Sequence, residues 1–211
     1  CLRLTYMQWG GGHYGSPPLK KGNNNSQNRY IHMAIINCTL SRDLLRTESC
    51  GYSLPVVKDI YLANYSDVTS EVIGDASETG CTGEVINITS TGATFYHIEP
   101  AKDSVSFTDE LVVEDNGNKY RTHTLTFNLS NKYDSCLHID FDALSLGRYF
   151  AVVVTADGTW LGLGRLTGLE ASAATLAGGS DQNGVTITLA ANVAESAMPI
   201  SEASKAIVRG S

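Results

Sequence analysis

The stretch that most constrains this chain is residues 103–129, two long runs of alternating apolar and polar side chains joined at Asn116-Gly117-Asn118. The first run puts Val105, Phe107, Leu111 and Val113 on one face, with Ser106, Thr108, Glu110 and Glu114 mostly on the other. The second sets Arg121, His123, Leu125, Phe127 and Leu129 against Tyr120, Thr122, Thr124 and Thr126. Successive side chains of a strand point to opposite faces, so period-two alternation of this length predicts a pair of strands. Arms of about ten residues exceed the usual strand of a small domain. Long ribbons of this kind serve between subunits as well as within one.

The hydrophobic pattern also predicts a register. A two-residue turn at Asn116-Gly117 would put Phe107 opposite Thr126 and Leu125 opposite Thr108, setting the apolar side of each arm on the polar face of the other. A three-residue loop over Asn116-Gly117-Asn118 instead sets Val105 opposite Leu129, Phe107 opposite Phe127 and Asp109 opposite Leu125. A slip of one residue turns every side chain over, so the apolar match selects the odd loop with a bulge, Asn118 taking its left-handed third position. Val105, Phe107, Leu125, Phe127 and Leu129 are then the predicted core of the ribbon. Toward the loop the same face becomes Asp109, Leu111 and Val113 against Arg121 and His123. That wetter half is either a contact for another subunit or a solvated ribbon, and these five are the candidate assembly residues.

The remaining pattern is mostly β. Residues 57–64 read as a strand buried on much of both faces, and 65–83 as a Ser/Thr/Gly/Asp loop. Residues 84–88 and 94–99 are further short strands, the second stopped by Pro100. One helix is predicted over 132–146, where Tyr133, Leu137, Phe141 and Leu144 form a single stripe that Gly147 ends. A second hairpin, 148–155 with 159–164, turns at Asp157-Gly158. A two-residue loop there sets Val154 opposite Leu161 and Val152 opposite Leu163. Gly162 and Gly164 on its second arm mark close approach by another element, for which the helix is the candidate. Residues 171–179 read as a Gly/Ala/Ser-rich link, 185–191 as the last strand, and the tail from Glu195 as loosely held.

Residues 1–32 differ from the rest, with Gly10-Gly11-Gly12, Pro17-Pro18 and Asn23-Asn24-Asn25-Ser26 and no periodicity. They are expected to be a flexible segment preceding a single β domain over 33–211. One reading makes them leader or added sequence before a start at Met33. Another makes them an assembly arm that orders on a neighbour, and a lipidated Cys1 is a third. Of the 15 Lys and Arg, four (Arg3, Lys20, Lys21, Arg29) lie in this segment, which has no acid. The remainder carries 11 basic against 22 acidic residues, a net −11. So acidic a body is ill suited to gripping nucleic acid through phosphates, and suits a surface that nucleic acid passes without sticking as well as it suits simple solubility.

Few residues suggest chemistry. The five cysteines include no C-x-x-C pair, which argues against a zinc ribbon or a disulfide framework and for a reducing compartment; Cys136 is expected as a small buried apolar residue. No apolar run approaches the roughly 20 residues of a membrane helix. His138 and Asp142 share a helix face but lack a third ligand, as do His97 and Glu99 on a strand. His123 lies diagonal to Asp109 in the predicted ribbon, a pairing that would orient a general base, yet no activated Ser or Cys is near it. G-x-S-x-G, Walker A and G-x-G-x-x-G are all absent, and Asp115-Asn116-Gly117 lacks the downstream Glu of a calcium loop. No catalytic, cofactor or metal residue is assigned, and no enzyme activity is expected.

The order of the pieces from residue 50 to 208 resembles the major tail (tail tube) proteins of phages and prophages of gut Bacteroidetes. The resemblance rests on Val57-Lys58-Asp59-Ile60-Tyr61-Leu62-Ala63-Asn64, on Phe95-Tyr96-His97-Ile98-Glu99-Pro100-Ala101-Lys102-Asp103-Ser104, and on the Thr/Phe-rich second ribbon strand, the helix and the Trp160 hairpin. Leu54-Pro55-Val56 departs from the Gly-Gly common before the first strand of that family, and residues 1–32 fall outside the resemblance. It implies a mainly-β fold, a β-sandwich or partial barrel with a long hairpin and one flanking helix. It also implies subunits that join as hexameric rings, stacked into a tube whose inner barrel takes four strands from each. The partners so implied are other copies of the chain, a tape-measure protein and DNA only as passing cargo, with no membrane binding and no cofactor. The location would be the virion tail, assembled in the bacterial host cytoplasm. Another virion β-protein, a neck ring or a capsid decoration, is the alternative, and a carbohydrate-binding β-sandwich module or an enzyme is a more distant one.

Overall fold

The computed structural model describes residues 56–75, 83–90, 92–100, 103–129, 136–179 and 183–210. The expectations for residues 1–32, for a start at Met33, for Cys1, Cys38, Cys50 and Cys81, and for Tyr133 on the helix stripe lie outside the described residues. The fold is mainly β, with a large antiparallel sheet and flanking helices.

The described strands are β1 (Val57–Asn64), β2 (Ser70–Asp75), β3 (Gly83–Ile88), β4 (Tyr96–Ile98), β5 (Ser106–Val113), β6 (Lys119–Leu129), β7 (Arg148–Thr155), β8 (Trp160–Leu163), β9 (Leu169–Gly178), β10 (Asn183–Val193) and β11 (Met198–Pro199). The helices are α1 (Leu137–Leu146) and α2 (Glu202–Arg209). β7 is the branch point of the sheet. One of its edges carries β1, which in turn carries β4. The other edge pairs first with β9, through Arg148 and Tyr149, and then with β8, through residues 151–154. Beyond β9 the sheet continues as β10, β6 and β5, a four-stranded antiparallel limb. β1 and β6 are not neighbours in the sheet, yet Ile60 and Leu62 share one core with Leu125 and Phe127, so the sheet curls over on itself. Leu137, Phe141 and Leu144 of α1 pack against this core. A second core on the other side of β1, β7 and β8 joins Phe150, Val152 and Trp160 to Ile86 of the β2–β3 hairpin and Val208 of α2.

The β5–β6 ribbon has the odd loop and the facing sides that alternation predicts, but its register differs by two residues. Phe107 pairs with Leu125, Asp109 with His123 and Val113 with Lys119. The loop is therefore Asp115-Asn116-Gly117, closed by hydrogen bonds from Glu114 N–H to Asn118 O and from Gly117 N–H to Glu114 O. The left-handed position falls on Gly117, at φ 86°, rather than on Asn118, because glycine reaches it with no Cβ penalty. The Asn116 side chain caps the turn by accepting from Asn118 N–H at 2.9 Å.

The second hairpin repeats the same device. It turns through Ala156-Asp157-Gly158, with Gly158 at φ 90° and Asp157 accepting from Thr159 N–H. The two-residue loop expected there is thus corrected to three, which slips the register by one. Trp160 pairs with Val154 and Gly162 with Val152. Both sets belong to the second core, so the slip is what buries Trp160 with Val152 and Val154.

Four further expectations are corrected. Part of the loop at 65–83 is strand β2, paired along its length with β3. Residues 171–178 of the expected 171–179 link lie in β9, a full strand whose small residues allow α1 to pack over it. The element crowding Gly162 is not the helix: a Cβ there would stand 2.5 Å from Ile86 Cδ1 and 3.0 Å from Ile200 Cδ1. The tail from Glu195 is held. Glu195 is buried, Ile200 and Val208 join the second core, and α2 is capped by Ser201, whose side chain accepts from Ser204 N–H.

Candidate functional site

The five ribbon residues proposed for assembly divide into two groups. Leu111 and Val113 stand exposed, at 54% and 57%, on β5, the last strand of the limb. Asp109, Arg121 and His123 face inward and meet in a polar cluster beneath the ribbon, so they hold the chain to itself instead of presenting a surface. Of the predicted ribbon core, Leu125 and Phe127 are fully buried, and Val105, Phe107 and Leu129 are partly buried against the first core.

The cluster draws on four places in the chain. Asp109 Oδ1 accepts from Arg121 Nε at 2.5 Å, and its Oδ2 accepts from Ala197 N–H at 2.9 Å. His123 is 1% exposed, and its Nδ1 accepts from Gly164 N–H at 3.2 Å. Accepting at Nδ1 fixes the neutral tautomer with hydrogen on Nε2. That Nε2 lies 3.5 Å from Asp109 Oδ1 and closes no hydrogen bond. Next to Gly164, the Arg165 guanidinium donates to both carboxylate oxygens of Glu195, from Nε at 2.8 and 3.0 Å, with both side chains buried.

The electrostatics follow from this geometry. Burial holds the His123 imidazole below its ordinary range and the Arg121 charge adds to that, while Asp109 and the Glu195 backbone oppose it. Burial also pushes the Asp109 carboxyl up, but donors from Arg121 and the Ala197 N–H outweigh it and leave the group more acidic than usual. For Glu195 burial prevails over the pull of Arg165, and its carboxyl lies above the ordinary range. A ring sealed at 1% exposure cannot reach a substrate in solvent, so the His123–Asp109 pair is not poised as a general base in this conformation.

The other candidates lie apart. His138 and Asp142 are both exposed on α1. His97 Nε2 meets Asp59 at 3.0 Å. Its ring stacks on Tyr61, which stacks on Trp160, which Arg209 covers from α2. Cys136 is exposed at the start of α1, not buried. Among the described residues no group of three or more His, Cys, Asp or Glu is placed to hold a metal, and no helix is long and apolar enough to cross a membrane. Ala197 and the Arg165–Glu195 pair were not singled out from sequence, and Gly164 was marked only as a place of close approach. Their partners lie tens of residues away, and no local period marks them.

The feature best suited to a partner is the limb β9-β10-β6-β5. Its inner face is the first core, and its outer face carries Thr122, Thr124, Thr126 and Asn128 of β6 beside Thr186, Thr188 and Asn192 of β10. Cross-strand hydrogen bonds join Thr126 to Thr188, Asn128 to Thr186 and Thr122 to Asn192. The limb also leaves edges open. Among the described residues β5 has no strand on its outer side, and residues 171–176 of β9 have β10 alone. No protein-family model, curated protein or solved structure matches the chain.

Proposed function

We propose that this protein is a structural virion protein, the subunit of a phage tail tube, whose copies join edge to edge into rings that stack around a channel for DNA. The observation that supports this most is the four-stranded limb with an open edge at each side. Unpaired edges are liabilities that proteins cover, and a ring of limbs covers all of them at once. A head-to-tail pairing of β5 with β9 of the next copy is heterologous, and such contacts form rings where the rotation between copies closes. The outer face of β6 and β10 suits the lumen of such a ring. It offers hydroxyls and amides and no Lys or Arg, so it gives phosphates no cation to grip.

The edge chemistry supplies a selective test. Glu114 N–H points to β6, so by alternation the N–H groups of Phe107, Asp109, Leu111 and Val113 point to the open side. Leu111→Pro therefore removes an outward donor and leaves the β6 ladder intact. Negative-stain microscopy and sedimentation of the wild type should give rings or tubes, and Leu111→Pro should give folded monomers. A wild type that stays monomeric at high concentration overturns the proposal. Single rings that never stack point to the neck-ring or decoration alternative.

A further inference from the structure

We propose that His123 is an acid-sensitive clasp, tying the Gly164 turn to the ribbon while its ring is neutral and releasing that turn and the Ala197 loop when it gains a proton. The proposal rests on what converges at one buried ring. Gly164 N–H donates to Nδ1, while Nε2 is fully buried without a closed hydrogen bond and has the Glu195 backbone beside it. The charged groups around it are Asp109 from β5, Arg121 from β6, and the Arg165–Glu195 pair, which links the Gly164 turn to the segment that Asp109 holds at Ala197.

A proton from solvent would add to Nδ1, the atom that now accepts from Gly164. Donor then faces donor, and the Gly164 contact is lost. The new cation favours the Asp109 carboxylate, 3.5 Å from Nε2, which already serves Arg121 and the Ala197 N–H. As the ring closes on Oδ1, the carboxylate turns and its Oδ2 leaves Ala197. One protonation thus loosens two loops from the ribbon, and the second of them leads into β11 and α2. Burial of the ring delays the event to more acidic solution, and Arg121 delays it further.

Amide exchange on the full chain reads this directly. Between about pH 7.5 and about pH 5, protection at Gly164 and Ala197 should fall about tenfold or more, after correction for intrinsic exchange. The amides of Leu125 and Ile187, in the first core, should keep theirs. His123→Asn places an amide oxygen near the position of Nδ1 and does not titrate, so both loops should stay protected across the range. Equal loss in wild type and variant overturns the proposal, because the carboxylates would then be responsible. Should the variant fail to fold, nitrogen NMR of the wild type decides. The His123 ring and the Gly164 amide must titrate with one midpoint, and ring protonation that leaves the Gly164 amide unmoved also overturns it.

Discussion

Arg165 and Glu195, thirty positions apart, form a bidentate ion pair with side chains only 5% and 2% exposed. Removing one partner strands a buried charge, which costs about 3–5 kcal/mol, whereas replacing both with apolar residues can be nearly neutral. Arg165→Met should therefore lower the urea midpoint sharply, and Arg165→Met with Glu195→Leu should recover most of the loss. A double-mutant cycle measures the coupling, and additive effects would deny it.

Asp109 governs the acid limb of stability. Its carboxyl is more acidic in the folded state than the ordinary value of 3.8. Its contribution is therefore complete above that ordinary value and fades as pH falls through the lower folded one. Asp109→Asn should cost about 1–3 kcal/mol at neutral pH and flatten the stability curve below about pH 4. His123 acts in a separate window. Its folded value lies below 6.5, so its contribution begins to fade as pH drops under that ordinary value. Chemical denaturation at a series of pH values separates the two.

Gly162 has no room for a side chain, since Ile86, Ile200 and Phe150 all lie within 3.2 Å of where a Cβ would stand. Gly162→Val should cost about 1–3 kcal/mol by overpacking. The pair Gly162→Ala with Ile86→Val should recover part of it, read as thermal midpoints against each single change.

The two hairpin glycines make a matched test of backbone strain. Gly117 and Gly158 stand at φ 86° and 90°, and nothing lies within 4 Å of a Cβ added at either. Space being free, Gly117→Ala and Gly158→Ala should each cost about 1–2 kcal/mol from the left-handed backbone alone, with Asn costing less than Ala at both. Equal costs for Ala and Asn would show that the turn relaxes into another type.

Strand β1 was legible to the residue, and so were the faces of the ribbon and the end of α1 at Gly147, because each rests on a local period or a local stop. The registers were not. Matching apolar residues in pairs favoured Phe107 opposite Phe127, but the turn prefers glycine at its left-handed position, and that moved the ladder by two. β9 escaped notice because alanine, serine and glycine carry little β signal; its strand is imposed by β10 beside it and α1 above. Within the candidate site, sequence brought Asp109, Arg121 and His123 onto one face. It could not bring Gly164, Ala197 or the Arg165–Glu195 pair to them, since only tertiary folding does that.

The place of β10 between β9 and β6 has a bearing on how the protein is made. Both of its partners leave the ribosome before it does, so β6 and β9 must wait, each with an edge unsatisfied, until the last long strand arrives between them. A nascent chain halted before residue 183 has its second ribbon arm ready to accept any passing strand. Truncation there should yield aggregate, not a smaller folded protein.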